Sequence, residues 1–186
     1  MEDLSIPRLA SPDAHVRTQA AEELFTRGRH LVEPILAEWR REAELSALLH
    51  LPRPRMTVGV AVNPESFEKI RVANGNPPLA DVPPDQDAME FELHVGANVR
   101  LDILTTKVSG GGGAIARFLE KFGEGIQQVE LEVKSCDSAT NRVRSAFGVE
   151  PLYPATRAGA DGTHVNFFLA SRPDGRKVLI ELVEPR

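Results

Sequence analysis

Residues 123–133 read GEGIQQVELEV, and residues 177–184 read KVLIELVE, one residue after the turn Arg172-Pro173-Asp174-Gly175. In the first stretch Gln128, Glu130 and Glu132 alternate with Val129, Leu131 and Val133. A period of two puts the polar groups on one face of a strand and the apolar groups on the other. The apolar side suits packing against residues 136–147, which read as a helix closed by Gly148. In the second stretch Glu181 stands between Ile180 and Leu182. Its carboxylate must point to the polar face or find a partner, because burying it unpaired is costly. Further strands are expected at residues 149–156 and 163–170, the latter following Gly162 and carrying His164 and Asn166.

The same order occurs upstream. Residues 56–62, MTVGVAV, alternate as a strand; residues 64–72 read as a helix after a capping Asn63; residues 74–87, rich in Pro, Asn and Asp, read as a loop. Two strands follow at residues 88–95 and 99–105 around the turn Gly96-Ala97-Asn98. Four consecutive glycines, residues 110–113, lack both the spacing and the terminal Lys-Ser/Thr of a phosphate-binding loop, and are read as a flexible linker before a short amphipathic helix at residues 114–122. Strand, helix, run of strands thus occurs twice, in modules at residues 55–107 and 125–186 joined by a linker at 108–124.

Residues 1–54 are of another kind. Ser11-Pro12-Asp13 supplies a capped start, with Val16, Ala20, Leu24 and Phe25 on one helical face. Asp13 is a cap and His15 a solvated residue on this reading. A turn is expected at Arg27-Gly28-Arg29, then a second helix at residues 31–49 burying Ile35, Leu36, Trp39, Ala43 and Leu48. Two prolines in Leu51-Pro52-Arg53-Pro54 favour an extended link, so the expected organisation is a helical hairpin at 1–54 and one α+β domain at 55–186.

A net charge of -5 without a dense Lys/Arg run argues against nucleic acid or an anionic membrane as principal partner, leaving a small molecule or a protein. Cys136, the single cysteine, excludes an intrachain disulfide and fits a reducing cytosol. Without a secretory signal pattern or a spanning apolar run, the expected location is cytoplasmic. There is no nucleophile elbow, no HExxH and no Ser-His-Asp context.

The GI-strand at 125–133, ADGTHVNFF at 160–168 and the closing LIEL strand after its Pro-Asp-Gly turn resemble the second module of methylmalonyl-CoA epimerases and glyoxalase I relatives, the vicinal-oxygen-chelate superfamily. TVGVAV and LDILTT at 101–106 resemble the first-module counterparts, and the N-terminal Pro-Asp-X-X-Val-Arg opening resembles one HEAT-type helical pair. A lone pair cannot bury its apolar face by repetition, so it is expected to cover the β domain or to recruit a protein partner.

The resemblance implies two βαβββ-type modules forming a U-shaped mixed sheet, with a divalent cation held by one ligand from each of four strands. Carried over residue by residue, those positions are Thr57, Asp102, Gln128 and Glu181. Epimerases have histidine at the first and third, so the implied metal site is degenerate. Its oxygen donors favour Mg²⁺ or Mn²⁺ over Zn²⁺, or no metal at all. His94 is a substitute ligand only if its strand faces the site. His164 and Asn166 are candidate ligand contacts, alongside Gln128. The implied function is binding of a small carbonyl-containing or acyl ligand without efficient metal catalysis; the alternative is an active isomerase or lyase with Glu181 or Glu130, its pKa raised, as general base. A homodimer is expected, because half-open sheets leave edges to cover.

Overall fold

The computed structural model describes residues 5–108 and 110–186. Contacts divide the chain into two compact units: residues up to Arg27 with Thr57–Gln127, and Gly28–Met56 with Gln128–Arg186.

In the first unit β1 (Met56–Ala61) leads through α4 (Pro64–Ala73) to β2 (Met89–Val95) and β3 (Val99–Thr105). The strands are ordered β2-β3-β1, with β1 parallel and β2 antiparallel to β3. Val58, Val60, Phe91, Leu93, Leu101 and Ile103 share one buried face, where they meet Phe67 and Ile70 of α4. The Phe67 and Phe91 rings lie edge to face at 4.8 Å, a geometry favoured by aromatic quadrupoles. Asn63 precedes α4 without a side-chain cap; its backbone N–H donates instead to Glu124 Oε1 at 2.9 Å.

The glycine run is more than a linker. Thr106 Oγ1 and the Lys107 N–H donate to the Asp87 carboxylate at 3.0 and 3.1 Å. A Cβ on either Gly111 or Gly113 would lie 2.9 Å from Asp87 atoms, so only glycine lets the chain wrap this carboxylate before α5 (Ala114–Phe122).

The second unit repeats the plan. From β4 (Gly125–Glu132) the chain passes through α6 (Cys136–Phe147) to the two-residue β5 (Arg157–Ala158), then β6 (His164–Ser171) and β7 (Lys177–Glu184). The order is β4-β7-β6-β5, with β4 parallel to β7 and the remaining pairs antiparallel. In both units the opening strand runs parallel to the closing one, the α+β duplication expected from sequence. Gly148 ends α6 at φ 64°, a left-handed position where glycine carries no Cβ penalty. Trp39 packs against Phe147 and Phe168, at ring separations of 6.3 and 6.4 Å.

Two expectations are corrected. The N-terminal region is helical but contains no turn at Arg27-Gly28-Arg29: α1 (Ser5–Arg8) precedes a continuous 26-residue α2 (Ala14–Trp39), followed by α3 (Ala43–Leu48). Gly28 costs about 1 kcal/mol inside a helix, which burial of Leu24, Val32, Ile35 and Trp39 at helical spacing outweighs. Ile6, Leu9, Ala20, Ala21 and Leu24 belong to the first unit's core, so these faces are already covered within the chain. Residues 149–156 are not a strand either: only an isolated bridge, Pro151 to Phe168, forms there. Pro151 and Pro154 lack the N–H that a ladder needs.

Candidate functional site

The polar face of the second unit is set by register. Glu130 and Glu181 are direct partners across the parallel β4–β7 pair, and Phe167 is the partner of Glu181 across β6–β7. Residues directly opposite in a ladder project to the same side, so Gln128, Glu130, Glu181 and Phe167 share one face. Val129, Leu131, Ile180 and Leu182 are buried on the other. Gln128 and Glu181 are themselves buried. The Gln128 Nε2 amide donates to Glu181 Oε2 at 2.6 Å and to Glu130 Oε1 at 3.2 Å, holding the two carboxylates together through one neutral group.

Beside this pair lies a feature that sequence reasoning missed. Phe167 meets the Tyr153 ring edge to face at 5.9 Å, and the Arg157 guanidinium lies over Tyr153 at 4.7 Å from its centroid. Arg157 partners Val165, two residues from Phe167, so it emerges on the Glu181 side of the sheet. The segment carrying Tyr153 is fastened by Leu152 N–H to Phe167 O at 2.7 Å and by Asn166 Nδ2 to Tyr153 O at 3.2 Å. A Tyr and an Arg separated by three residues in a proline-bearing stretch carry no periodic signal.

Asn166 and His164 do not join the site. Their partners on β7 are Leu182 and Glu184, which places both on the face opposite Glu181. Asn166 is completely buried, and its Oδ1 accepts the Phe167 N–H at 2.9 Å, so its amide serves the backbone rather than a ligand. The alternation of 164 with 166 was legible, but which side of the sheet they occupy depended on the β6–β7 register.

In the first unit Thr57 and Asp102 are buried, and Asp102 lies between Gly59 of β1 and Glu92 of β2 in register. His94 is exposed, with its Nε2 2.5 Å from Glu92 Oε2, so its nearest partner is that carboxylate. Asp13 caps α2 as expected, accepting the His15 N–H at 2.8 Å.

Cys136 is buried below β7, its Sγ 3.5 Å from the Leu182 carbonyl. Desolvation pushes the thiol up to about 12, away from nucleophilic chemistry. Among the described residues no helix is long and apolar enough to cross a membrane.

No protein-family model and no curated protein sequence matches this chain. Solved structures do. Methylmalonyl-CoA epimerase from Mycobacterium tuberculosis is 33% identical, over 70% of this chain and 86% of that one, with a TM-score of 0.55. A hypothetical protein from Bacillus halodurans C-125 is 26% identical, over 70% and 92%, with a TM-score of 0.56. A methylmalonyl-CoA epimerase in complex with methylmalonyl-CoA and NH4+, 24% identical over 70% and 94% with a TM-score of 0.56, agrees in fold. With the duplicated strand-helix-strand plan, the Glu181 strand and one-third identity to an epimerase over most of its length, the chain belongs to the glyoxalase/methylmalonyl-CoA epimerase-like, vicinal-oxygen-chelate superfamily.

Proposed function

We propose that this protein binds a small carbonyl-containing or acyl ligand on the Gln128–Glu130–Glu181 face, without efficient metal catalysis. The observation that carries the reading is the Gln128 amide, whose NH₂ points at both carboxylates. A cation approaching that pair meets a donor rather than a lone pair. Turning the amide over would set its oxygen against two carboxylates, so the orientation is fixed by electrostatics. Thr57 offers only a neutral hydroxyl. The donor set therefore does not fit a divalent cation.

Likeness to methylmalonyl-CoA epimerases supports an acyl thioester as the ligand class. The test is metal content of purified protein together with thermal-shift titrations against Mg²⁺, Mn²⁺, Zn²⁺, Ni²⁺ and methylmalonyl-CoA. A native-state ligand at a hundredfold its Kd stabilises by about 2.7 kcal/mol. The expected result is a shift with the thioester and none with the cations. Near-stoichiometric metal, lost in Asp102→Ala or Glu181→Ala, would refute the metal-free reading.

One observation favours a second reading, an isomerase or lyase. Glu130 and Glu181 are adjacent in register, and Glu130 is the more open of the two. A carboxylate so placed can take a proton from carbon next to a bound carbonyl and return it. Deuterium uptake from heavy water into methylmalonyl-CoA, abolished in Glu181→Gln or Glu130→Gln, would support it; uptake unchanged in both would sink it.

A further inference from the structure

We propose that an uncharged strip beside Glu181, formed by Phe167, Leu169 and Leu179 and bordered by Tyr153, binds a neutral hydrocarbon chain of the ligand and selects for its length. The proposal rests on the ligand-binding reading above. It starts from register. Leu169 and Leu179 are partners across β6–β7, two residues along each strand from the Phe167–Glu181 pair. A period of two keeps all four on one face of the sheet. Phe168, Ala170, Val178 and Ile180 take the other face, where they are buried. Ser171 and Lys177, the next pair on the strip's side, are polar and exposed, so the strip runs from the Glu181 row to the Lys177 row. At about 3.4 Å per residue those rows are about 14 Å apart.

An antiparallel sheet face that meets solvent normally carries polar side chains at such positions. Here Leu169 is 42% exposed and Tyr153, whose ring meets Phe167 at 5.9 Å, is 37% exposed, while Phe167 and Leu179 are half-buried. A single exposed leucine needs no explanation, but a contiguous apolar patch with polar groups at both ends has the form of a ligand site. Its size selects the occupant. A stable protein interface takes about 20–30 residues from each partner, whereas the side chains here cover the length of one hydrocarbon chain. Its chemistry selects the class. Phe167, Leu169 and Leu179 offer neither a charge nor a hydrogen bond, so the part of the ligand lying on them is recognised by burial alone and is uncharged.

The test titrates the full-length protein with 2-butanone, 2-hexanone and 2-octanone, and with methylmalonyl-CoA as the probe of the underlying reading. A fully buried CH₂ tightens binding about fourfold, and a chain lying on an open strip buries about half of each, so two added carbons tighten binding about fourfold. Leu169→Asn and Leu179→Asn remove most of that dependence, and Leu169→Met keeps it. Leu169 is exposed, so its variants keep the fold. Val72→Asn, at an exposed apolar position of α4, leaves the dependence unchanged. A chain-length dependence retained in both asparagine variants overturns the strip. So does binding of methylmalonyl-CoA with no gain along the ketone series; either result leaves the ligand-binding reading standing. If Leu169→Asn splits a wild-type dimer into monomers in sedimentation, the strip belongs to a second copy of the chain and the proposal is overturned. Failure of wild type to bind any of the four compounds overturns both the strip and the reading beneath it.

Discussion

Removing the Gln128 amide exposes how strongly the polar face depends on it. Gln128→Ala deletes a 2.6 Å hydrogen bond to a buried carboxylate and a 3.2 Å bond to a more open one. Hydrogen bonds to charged groups contribute about 1.5–3 kcal/mol each; with the longer bond discounted for solvent, the expected loss is about 2–4 kcal/mol. Gln128→Glu goes further, because it replaces a donor by a third carboxylate. Two ionised carboxylates about 5 Å apart repel by about 3 kcal/mol at an effective dielectric of roughly 20. That variant should be less stable than Gln128→Ala at pH 8 and should regain stability as acid protonates the cluster. It should also gain more stabilisation by Mn²⁺ than wild type, since three oxygen anions then face one another. Urea unfolding followed by fluorescence of the single tryptophan reads each effect, because Trp39 is buried against Phe147 and Phe168. A loss below about 1 kcal/mol in Gln128→Ala, or a Gln128→Glu protein indifferent to both pH and Mn²⁺, would refute the bridging role.

Two further outcomes are expected. Asn166→Ala should cost about 2–3 kcal/mol by leaving buried backbone groups unsatisfied, and should speed hydrogen exchange at the Leu152 amide, which bonds Phe167 O in the segment Asn166 holds; unchanged exchange would show that segment to be fixed by other contacts. Cys136 should resist Ellman's reagent at pH 8 until the protein unfolds, and its titration fixes a sign. The folded thiol keeps its proton to about pH 12, whereas the unfolded one loses it near 9.0. Native protein therefore binds more protons in that window, and stability falls as pH rises through it. Cys136→Ala should flatten this slope; an identical alkaline slope in the variant would assign it to other groups.

Much of the fold was legible because alternation is a local property. Val129 and Leu131 against Gln128 and Glu130 announced a two-sided strand, and Gly148 announced the end of α6, since a strand pleat and a left-handed residue are written in neighbouring positions. The pairing of Glu181 with a polar partner was also readable, because a carboxylate between Ile180 and Leu182 demands one; the structure supplies Gln128. Local signals misled where tertiary burial outweighed them. Gly28 reads as a turn, yet α2 continues through it because apolar residues on both sides are buried along one helical stripe. The N-terminal helices read more as cover for apolar surface than as a docking module, and Leu24 and its neighbours lie inside the first unit's core.

What the sequence determined by itself is the duplicated α+β plan and the two-sided alternation of its strands, both properties of adjacent residues. Only the tertiary structure decided which strands lie in register. That placed Glu130 opposite Glu181, sent Asn166 and His164 to the far side, and drew Tyr153 and Arg157 beside Phe167 from a stretch with no periodicity of its own. Register is set by hydrogen bonds between segments distant in sequence, and a shift of one residue exchanges the two faces of a strand.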